Sequence, residues 1–99
     1  MRLGLKTHFN EVERTVQICN RLGMHARAAG KLRNLAAQFQ STIKLVKGRM
    51  EADAKSILGL MALEASRGTE LIVRAWGDDS EQAAEALCQL IQDRFGEDE

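Results

Sequence analysis

The length, composition and charge of the chain favour one small protein domain. Its 99 residues are 44% hydrophobic and 28% charged, which suits a single core and excludes two domains. Fourteen Lys and Arg residues balance fourteen Asp and Glu residues, so the formal net charge is zero. A nucleic-acid-binding protein would carry an excess of basic residues. We therefore expect protein partners and no nucleic acid.

The sequence carries no pattern typical of export or membrane insertion. No apolar run approaches the roughly 18 residues of a membrane span, and residues 1–8 lack the apolar core of a signal peptide. We expect a cytoplasmic, monomeric protein that does not bind membranes. Cys19 and Cys88 lack the paired spacing of a zinc or redox motif, so we expect buried, reduced thiols, no metal and no cofactor.

The first half of the chain combines strand and helix patterns. Apolar and polar side chains alternate over residues 11–19, which predicts a half-buried strand. A polar loop that ends at Gly23 leads into an amphipathic helix, expected to run to about residue 38. Residues 42–46 and 49–53 predict two strands joined at Gly48 in a hairpin.

The second half predicts two helices around one strand. Residues 56–63 favour a short helix with Ser56 as its N-cap, and residues 70–76 favour a strand. A helix is expected to follow the turn at residues 77–80 and to run to about residue 94. The order βαββαβα favours an α+β domain with all helices on one face of a largely antiparallel sheet. We expect residues 1–10, which include a solvated His8, and the acidic residues 96–99 to be frayed.

His25 and Arg27 are the residues most indicative of a chemical role. They stand where the first helix begins, and a helix N-terminus has unpaired backbone N–H groups that favour an anion. His25 adds a neutral nitrogen nucleophile near neutral pH. The local chemistry suits a phosphoryl group on His25 held by Arg27, although a solvated or capping histidine would show the same local pattern.

Two segments together give the chain a resemblance to a known family. Residues 23–29 are Gly-Met-His-Ala-Arg-Ala-Ala, and residues 54–61 are Ala-Lys-Ser-Ile-Leu-Gly-Leu-Met. From about residue 11 to residue 94 the chain resembles HPr, the histidine-containing phosphocarrier of the bacterial phosphoenolpyruvate-dependent sugar phosphotransferase system. The resemblance implies an open-faced β-sandwich, in which three helices cover one face of a four-stranded antiparallel sheet.

The resemblance also implies roles for individual residues. His25 would accept a phosphoryl group from phosphorylated enzyme I and pass it to enzyme IIA, with Arg27 stabilising the phosphate. Ser56 would be the site of an HPr kinase/phosphorylase, although its capping role alone also explains a serine there. The family usually has proline where this chain has Ala28. We expect the N–H of Ala28 to add a possible phosphate donor and to leave the site less rigid.

The short helix around residues 56–63 is apolar on nearly all sides. Two turns cannot bury all of its large side chains, so some of Ile57, Leu58 and Met61 should be exposed. The resemblance implies that these three residues contact enzyme I and the enzyme II proteins. Trp76, at the end of the last strand, is expected to serve packing.

Three other functions compete with sugar-linked phosphoryl transfer. The first is a regulatory phosphocarrier of the nitrogen branch, which would use the same histidine chemistry. The second is an HPr-like interaction module without transfer, which the presence of His25 disfavours. The third is a small ferredoxin-like binder of RNA or a metabolite, which would need a basic or aromatic sheet face.

Overall fold

A computed structural model of the chain describes residues 11–99. It contains four strands, which are β1 (Glu11–Gln17), β2 (Thr42–Lys47), β3 (Met50–Asp53) and β4 (Glu70–Trp76). Three α-helices lie between and after them, which are α1 (Ala26–Ala36), α2 (Ile57–Ala62) and α3 (Ser80–Gln92). A short 3-10 turn, Arg94–Gly96, follows α3. The order is the predicted βαββαβα.

The strands form one antiparallel sheet in the order β1-β4-β2-β3. Trp76 on β4 lies opposite Glu11 on β1 and opposite Thr42 on β2, which fixes the register of the three strands. Lys47 pairs with Met50 across the β2–β3 hairpin, so its turn has only two residues. The first of these is Gly48, whose φ of 59° suits a residue without a Cβ atom in a tight hairpin turn.

The core lies between the sheet and the three helices. Side chains along β4 alternate in burial, and its three fully buried positions are Leu71, Val73 and Ala75. Helix α3 packs on β1 and β4, whereas α1 packs against both α2 and α3. This arrangement confirms the expected α+β fold, with the helices on one face of an open four-stranded sheet.

The uncovered sheet face carries paired charges. Arg74 contacts Glu11 at 2.8 Å and Glu13 at 3.2 Å, and its guanidinium lies 4.9 Å from the ring centre of Trp76. Lys44 pairs with a glutamate of β3 at 3.1 Å. This mixed surface lacks the basic or stacked aromatic platform of an RNA-binding sheet, which argues against the third alternative function.

The element ends differ from the predictions where the chain turns. Strand β4 has the predicted bounds, but α1 ends at Ala36 because the next residues form tight i→i−3 turns to Leu35 and Ala36. Helix α3 ends at Gln92, before Arg94 and Phe95 adopt φ values of 59° and 54°. These left-handed conformations stop the helix, and Phe95 becomes fully buried in the core.

The last four residues differ from the frayed end expected from their composition. The backbone N–H of Arg21 donates to the carbonyl of Glu99 at 2.6 Å, and the two side chains form an ion pair at 2.8 Å. Glu97 contacts the loop before α1. Buried Phe95 places the tail close enough for these contacts. The expectation for residues 1–10, including His8, lies outside the described residues.

The two cysteines are free thiols in different surroundings. Cys88 is buried, and burial raises the pKa of its thiol. Cys19 is only half-buried, with its Sγ atom 3.4 Å from the carbonyl oxygen of Ile91, so the prediction of a buried thiol holds for Cys88 alone. Within residues 11–99, no helix is long and apolar enough to cross a membrane.

Candidate functional site

The loop between β1 and α1 is held by hydrogen bonds on two sides. The side-chain amide of buried Asn20 donates to the carbonyl of Gly23 at 2.9 Å. The backbone N–H of Met24 donates to the carbonyl of Ala65 at 2.9 Å. The Met24 side chain is buried. These bonds fix the backbone immediately before His25.

Gly23 is required by the geometry of this loop. Its φ is 67°, in the left-handed region that favours glycine. A Cβ atom at this position would lie 2.5 Å from the carbonyl oxygen of Ala65 and 2.9 Å from the Cα atom of Ser66. The loop therefore depends on glycine for its conformation and for its close approach to residues 65–66.

His25 is the N-cap residue of α1. Its backbone is extended, with φ −76° and ψ 177°, and its carbonyl accepts the first helical hydrogen bond from Ala29 at 2.8 Å. Its imidazole forms no hydrogen bond to the helix amides, so a capping role of the side chain does not explain this histidine. The ring remains accessible for other chemistry, with 27% of the side chain exposed.

The first amides of α1 are not used inside the helix. The N–H groups of Ala26, Arg27 and Ala28 precede the first helical donor, as at every helix N-terminus. Ala26 and Arg27 are exposed, whereas Ala28 is fully buried. The expectation that Ala28 adds a phosphate donor is therefore not met in this conformation, because the protein covers that residue.

An open cavity of about 550 Å³ lies beside His25. Its lining is strongly charged and consists of Arg21, Leu22, His25, Arg27, Glu97 and Glu99. Arg21 is neutralised by Glu99. The Arg27 side chain has no hydrogen bond or ion pair with any of residues 11–99, so its guanidinium is the cation in this cavity that remains available to an anion.

Glu97 belongs to the site because its carboxylate contacts the imidazole of His25. Its Oε2 atom lies 2.5 Å from Nε2 of His25, and its Oε1 atom accepts a hydrogen bond of 3.0 Å from the amide of Asn20. These two hydrogen bonds lower the pKa of the Glu97 carboxyl, with the bond from Asn20 the larger cause. The sequence analysis did not predict this residue in the site. The two partners are 72 positions apart, and an acidic tail gives no local sign of such a contact.

Helix α2 presents a second group of predicted residues. The Ser56 hydroxyl accepts a hydrogen bond from the N–H of Gly59 at 3.0 Å, which is the predicted N-cap. Leu58 is 81% exposed, and both Ile57 and Met61 exceed one-third exposure. The prediction that some apolar side chains of this helix remain exposed is confirmed.

A second exposed apolar side chain, that of Leu22, lies beside His25. A shallow cavity is lined by Leu22, Met24, His25 and residues 64–66, in the segment that follows the C-cap of α2. Leu22 is 62% exposed and lines both this cavity and the charged one. Sequence analysis missed Leu22 because it stands alone in a polar loop, where no periodic pattern reveals its exposure.

The chain combines an open-faced α+β sandwich with a histidine at the N-terminus of its first helix, an arrangement suited to a phosphoryl carrier. Residues 12–93 match the family model described as "PTS HPr component phosphorylation site". The chain belongs to the HPr family of phosphocarrier proteins of the phosphotransferase system.

Individual relatives agree with this assignment. Phosphocarrier protein NPr of Shewanella violacea is 44% identical over 87 residues, which cover 88% of this chain and 96% of the relative. Phosphocarrier protein HPr of Cupriavidus necator is 43% identical over 88 residues, which cover 89% and 99%. A crystal structure of HPr-C-His from Thermoanaerobacter tengcongensis superposes with a TM-score of 0.85 at 41% identity, covering 89% and 99%. Both names, HPr and NPr, occur among the relatives.

Proposed function

We propose that this chain carries a phosphoryl group on His25, taken from phosphorylated enzyme I and passed to an enzyme IIA protein. Phosphoenolpyruvate is the ultimate donor. The observation that carries the proposal is the imidazole of His25 at the N-terminus of α1, beside a cavity that also contains unpaired Arg27. The chain turns over no small molecule itself and acts as a monomeric carrier in the cytoplasm.

The site provides charge stabilisation more than covalent chemistry. Transfer of a phosphoryl group needs alignment of the two nitrogens and neutralisation of the phosphate oxygens. The guanidinium of Arg27 can pair with two phosphate oxygens. The N–H groups of the exposed residues Ala26 and Arg27 at the start of α1 supply neutral donors and a favourable dipole. The partner protein completes the site by covering the open cavity.

We propose that enzyme I and enzyme IIA dock on the apolar surface formed by Leu22, Ile57, Leu58 and Met61. Leu22 lines the cavity beside His25, and the other three residues lie on α2, which packs against α1. All four are exposed, whereas Leu60 of α2 is fully buried. An unbranched, flexible methionine beside aliphatic neighbours suits a surface that must fit more than one partner.

Ser56 is the proposed site of regulation by an HPr kinase/phosphorylase. It is half-buried beside the exposed residues Ile57 and Leu58. A phosphate there adds almost two negative charges next to the docking surface. The N-terminus of α2 tolerates this charge, so modification would weaken docking without unfolding the helix.

A two-step transfer assay tests the proposed function. Enzyme I with phosphoenolpyruvate should load one phosphate on each chain, and purified enzyme IIA should then remove it. His25→Ala should abolish both steps while remaining folded. A wild-type chain that is never loaded would refute carriage and leave the non-transferring interaction module, while loading without unloading would refute onward transfer to that enzyme IIA.

The nitrogen branch is a second candidate because the Shewanella violacea relative at 44% identity is an NPr. The sugar and nitrogen branches use the same histidine chemistry, so the site alone does not separate them. Transfer rates with enzyme I and enzyme IIA proteins from the two branches separate these candidates. A preference of at least about tenfold, equivalent to roughly 1.4 kcal/mol, would assign the branch.

A further inference from the structure

The C-terminal end of α2 is held by a lysine from outside the helix. Helix α2 ends at Ala62, with Leu63 as its C-cap, and its last turn contains no basic residue. The ammonium group of Lys47, the last residue of β2, donates to the carbonyl of Leu63 at 2.8 Å and to the carbonyl of Glu64 at 3.2 Å. A cation at this place satisfies backbone oxygens and favours the negative end of the helix dipole.

Glu64 adopts an unfavourable backbone conformation at this end of the helix. Its φ is 50°, in the left-handed region that glycine usually occupies one residue after a helix C-cap. Such a conformation persists in a residue with a Cβ atom only where the surroundings fix it, and it is most common at functional sites. Because the carbonyl of Glu64 accepts a hydrogen bond from Lys47, this lysine helps to fix the conformation.

The residue after Glu64 supports the loop before His25. Ala65 is only 3% exposed, and its carbonyl accepts the hydrogen bond of 2.9 Å from the N–H of Met24. Gly23 approaches the same carbonyl so closely that a Cβ atom there would lie 2.5 Å from its oxygen. Because Ala65 follows Glu64 across a rigid peptide bond, a shift of Glu64 displaces Ala65 and the loop that it holds.

We propose that Lys47 is a positioning residue for phosphoryl transfer, which fixes the place of His25 through residues 63–65. The proposal rests on the proposed function. Lys47 holds the carbonyl of Glu64, the next residue holds Met24, and Met24 directly precedes His25. Transfer between two nitrogens needs close alignment, and a small displacement of the acceptor slows it even when the two proteins are bound.

Lys44 provides the matched control for Lys47. Both lysines belong to β2, but Lys44 pairs with Glu51 on the uncovered sheet face, whereas Lys47 has no ion pair with a carboxylate of residues 11–99. Lys47→Met and Lys44→Met remove the same charge from the same strand. Any difference between these variants therefore reports the contacts with residues 63–64. Lys47→Arg keeps a cationic donor and is the conservative variant.

Hydrogen exchange of the Met24 amide tests the structural link without a partner protein. In Lys47→Met this amide should exchange about tenfold faster than in wild type, because the carbonyl that protects it is less firmly held. The amide of Val73, a fully buried residue of the central strand β4, reports global unfolding and should change less. Lys44→Met and Lys47→Arg should exchange as wild type does.

Loading by enzyme I tests the consequence for transfer. Lys47→Met should lower the rate at a saturating concentration of the carrier by at least about threefold. The KM for the carrier should change less, because the Ser56 cap and buried Leu60 still hold the exposed side chains of α2 that we propose for docking. Lys47→Arg should restore the rate, and Lys44→Met should load as wild type does.

Two results would overturn the proposal. If the Met24 amide of Lys47→Met exchanged no faster relative to Val73 than it does in wild type, Lys47 would not hold the loop before His25. Equal loading of Lys47→Met and Lys44→Met, or a change confined to KM, would make Lys47 a cap of α2 without a part in transfer. A wild type that enzyme I never loads would refute the proposed function, whereas the exchange rates would still decide whether Lys47 positions the loop.

Discussion

Replacing Gly23 by alanine should destabilise the protein and disturb the histidine site together. The left-handed conformation costs a residue with a Cβ atom about 1–2 kcal/mol. The new atom would also lie 2.5 Å from the carbonyl oxygen of Ala65, a backbone atom that accepts the hydrogen bond from Met24. Loss of that bond adds about 1 kcal/mol, so we expect a total loss of roughly 2–3 kcal/mol.

Gly30→Ala is the control, because the same substitution meets different surroundings. Gly30 lies inside α1, and a Cβ atom there has no neighbour within 4 Å. The Gly30→Ala substitution should therefore stabilise the protein by up to about 1 kcal/mol. Denaturant unfolding of both variants gives the free energies, and loading by enzyme I should slow only in Gly23→Ala. Equal stability of Gly23→Ala and wild type would refute this explanation of the loop.

Two further predictions concern charge. Arg27→Ala should slow loading by at least about tenfold, the loss of roughly 1.4 kcal/mol of transition-state stabilisation. The melting temperature should change little, because the exposed side chain has no hydrogen bond or ion pair to lose among residues 11–99. An unchanged rate, or a large loss of stability, would make Arg27 a structural residue. Ser56→Asp should fold yet bind enzyme I less tightly than Ser56→Asn, an equally good N-cap without the charge. Calorimetry should show this difference shrinking as salt is raised, and equal affinities would leave Ser56 as a cap alone.

The sequence predicted the features that depend on short-range patterns. The sequence predicts strand β4 at residues 70–76 because this largely apolar run contains β-branched Ile72 and Val73 and lies between Gly68 and Gly77. The sequence predicts the Ser56 cap because the capping residue and its helix are adjacent in the chain. The sequence also predicts exposed apolar side chains on α2, because a helix of two turns cannot bury every large apolar side chain that it carries.

The parts of the site that escaped prediction depend on long-range contacts. Glu97 reaches His25 only because Arg94 and Phe95 leave the helical conformation and Phe95 enters the core. Composition alone favours a solvated end for such an acidic segment, and no local pattern encodes its return. The buried position of Ala28 likewise follows from packing of α1 and not from its place in the motif.

The central claim is that His25 carries the phosphoryl group, and mapping of the phosphate tests it most directly. The chain has two histidines, so His8→Ala is a natural control for His25→Ala. After incubation with enzyme I and phosphoenolpyruvate, wild type and His8→Ala should each hold one acid-labile phosphate, because a nitrogen-linked phosphate hydrolyses readily once its leaving nitrogen is protonated. His25→Ala should hold none. Full labelling of His25→Ala, or loss of labelling in His8→Ala, would contradict the account.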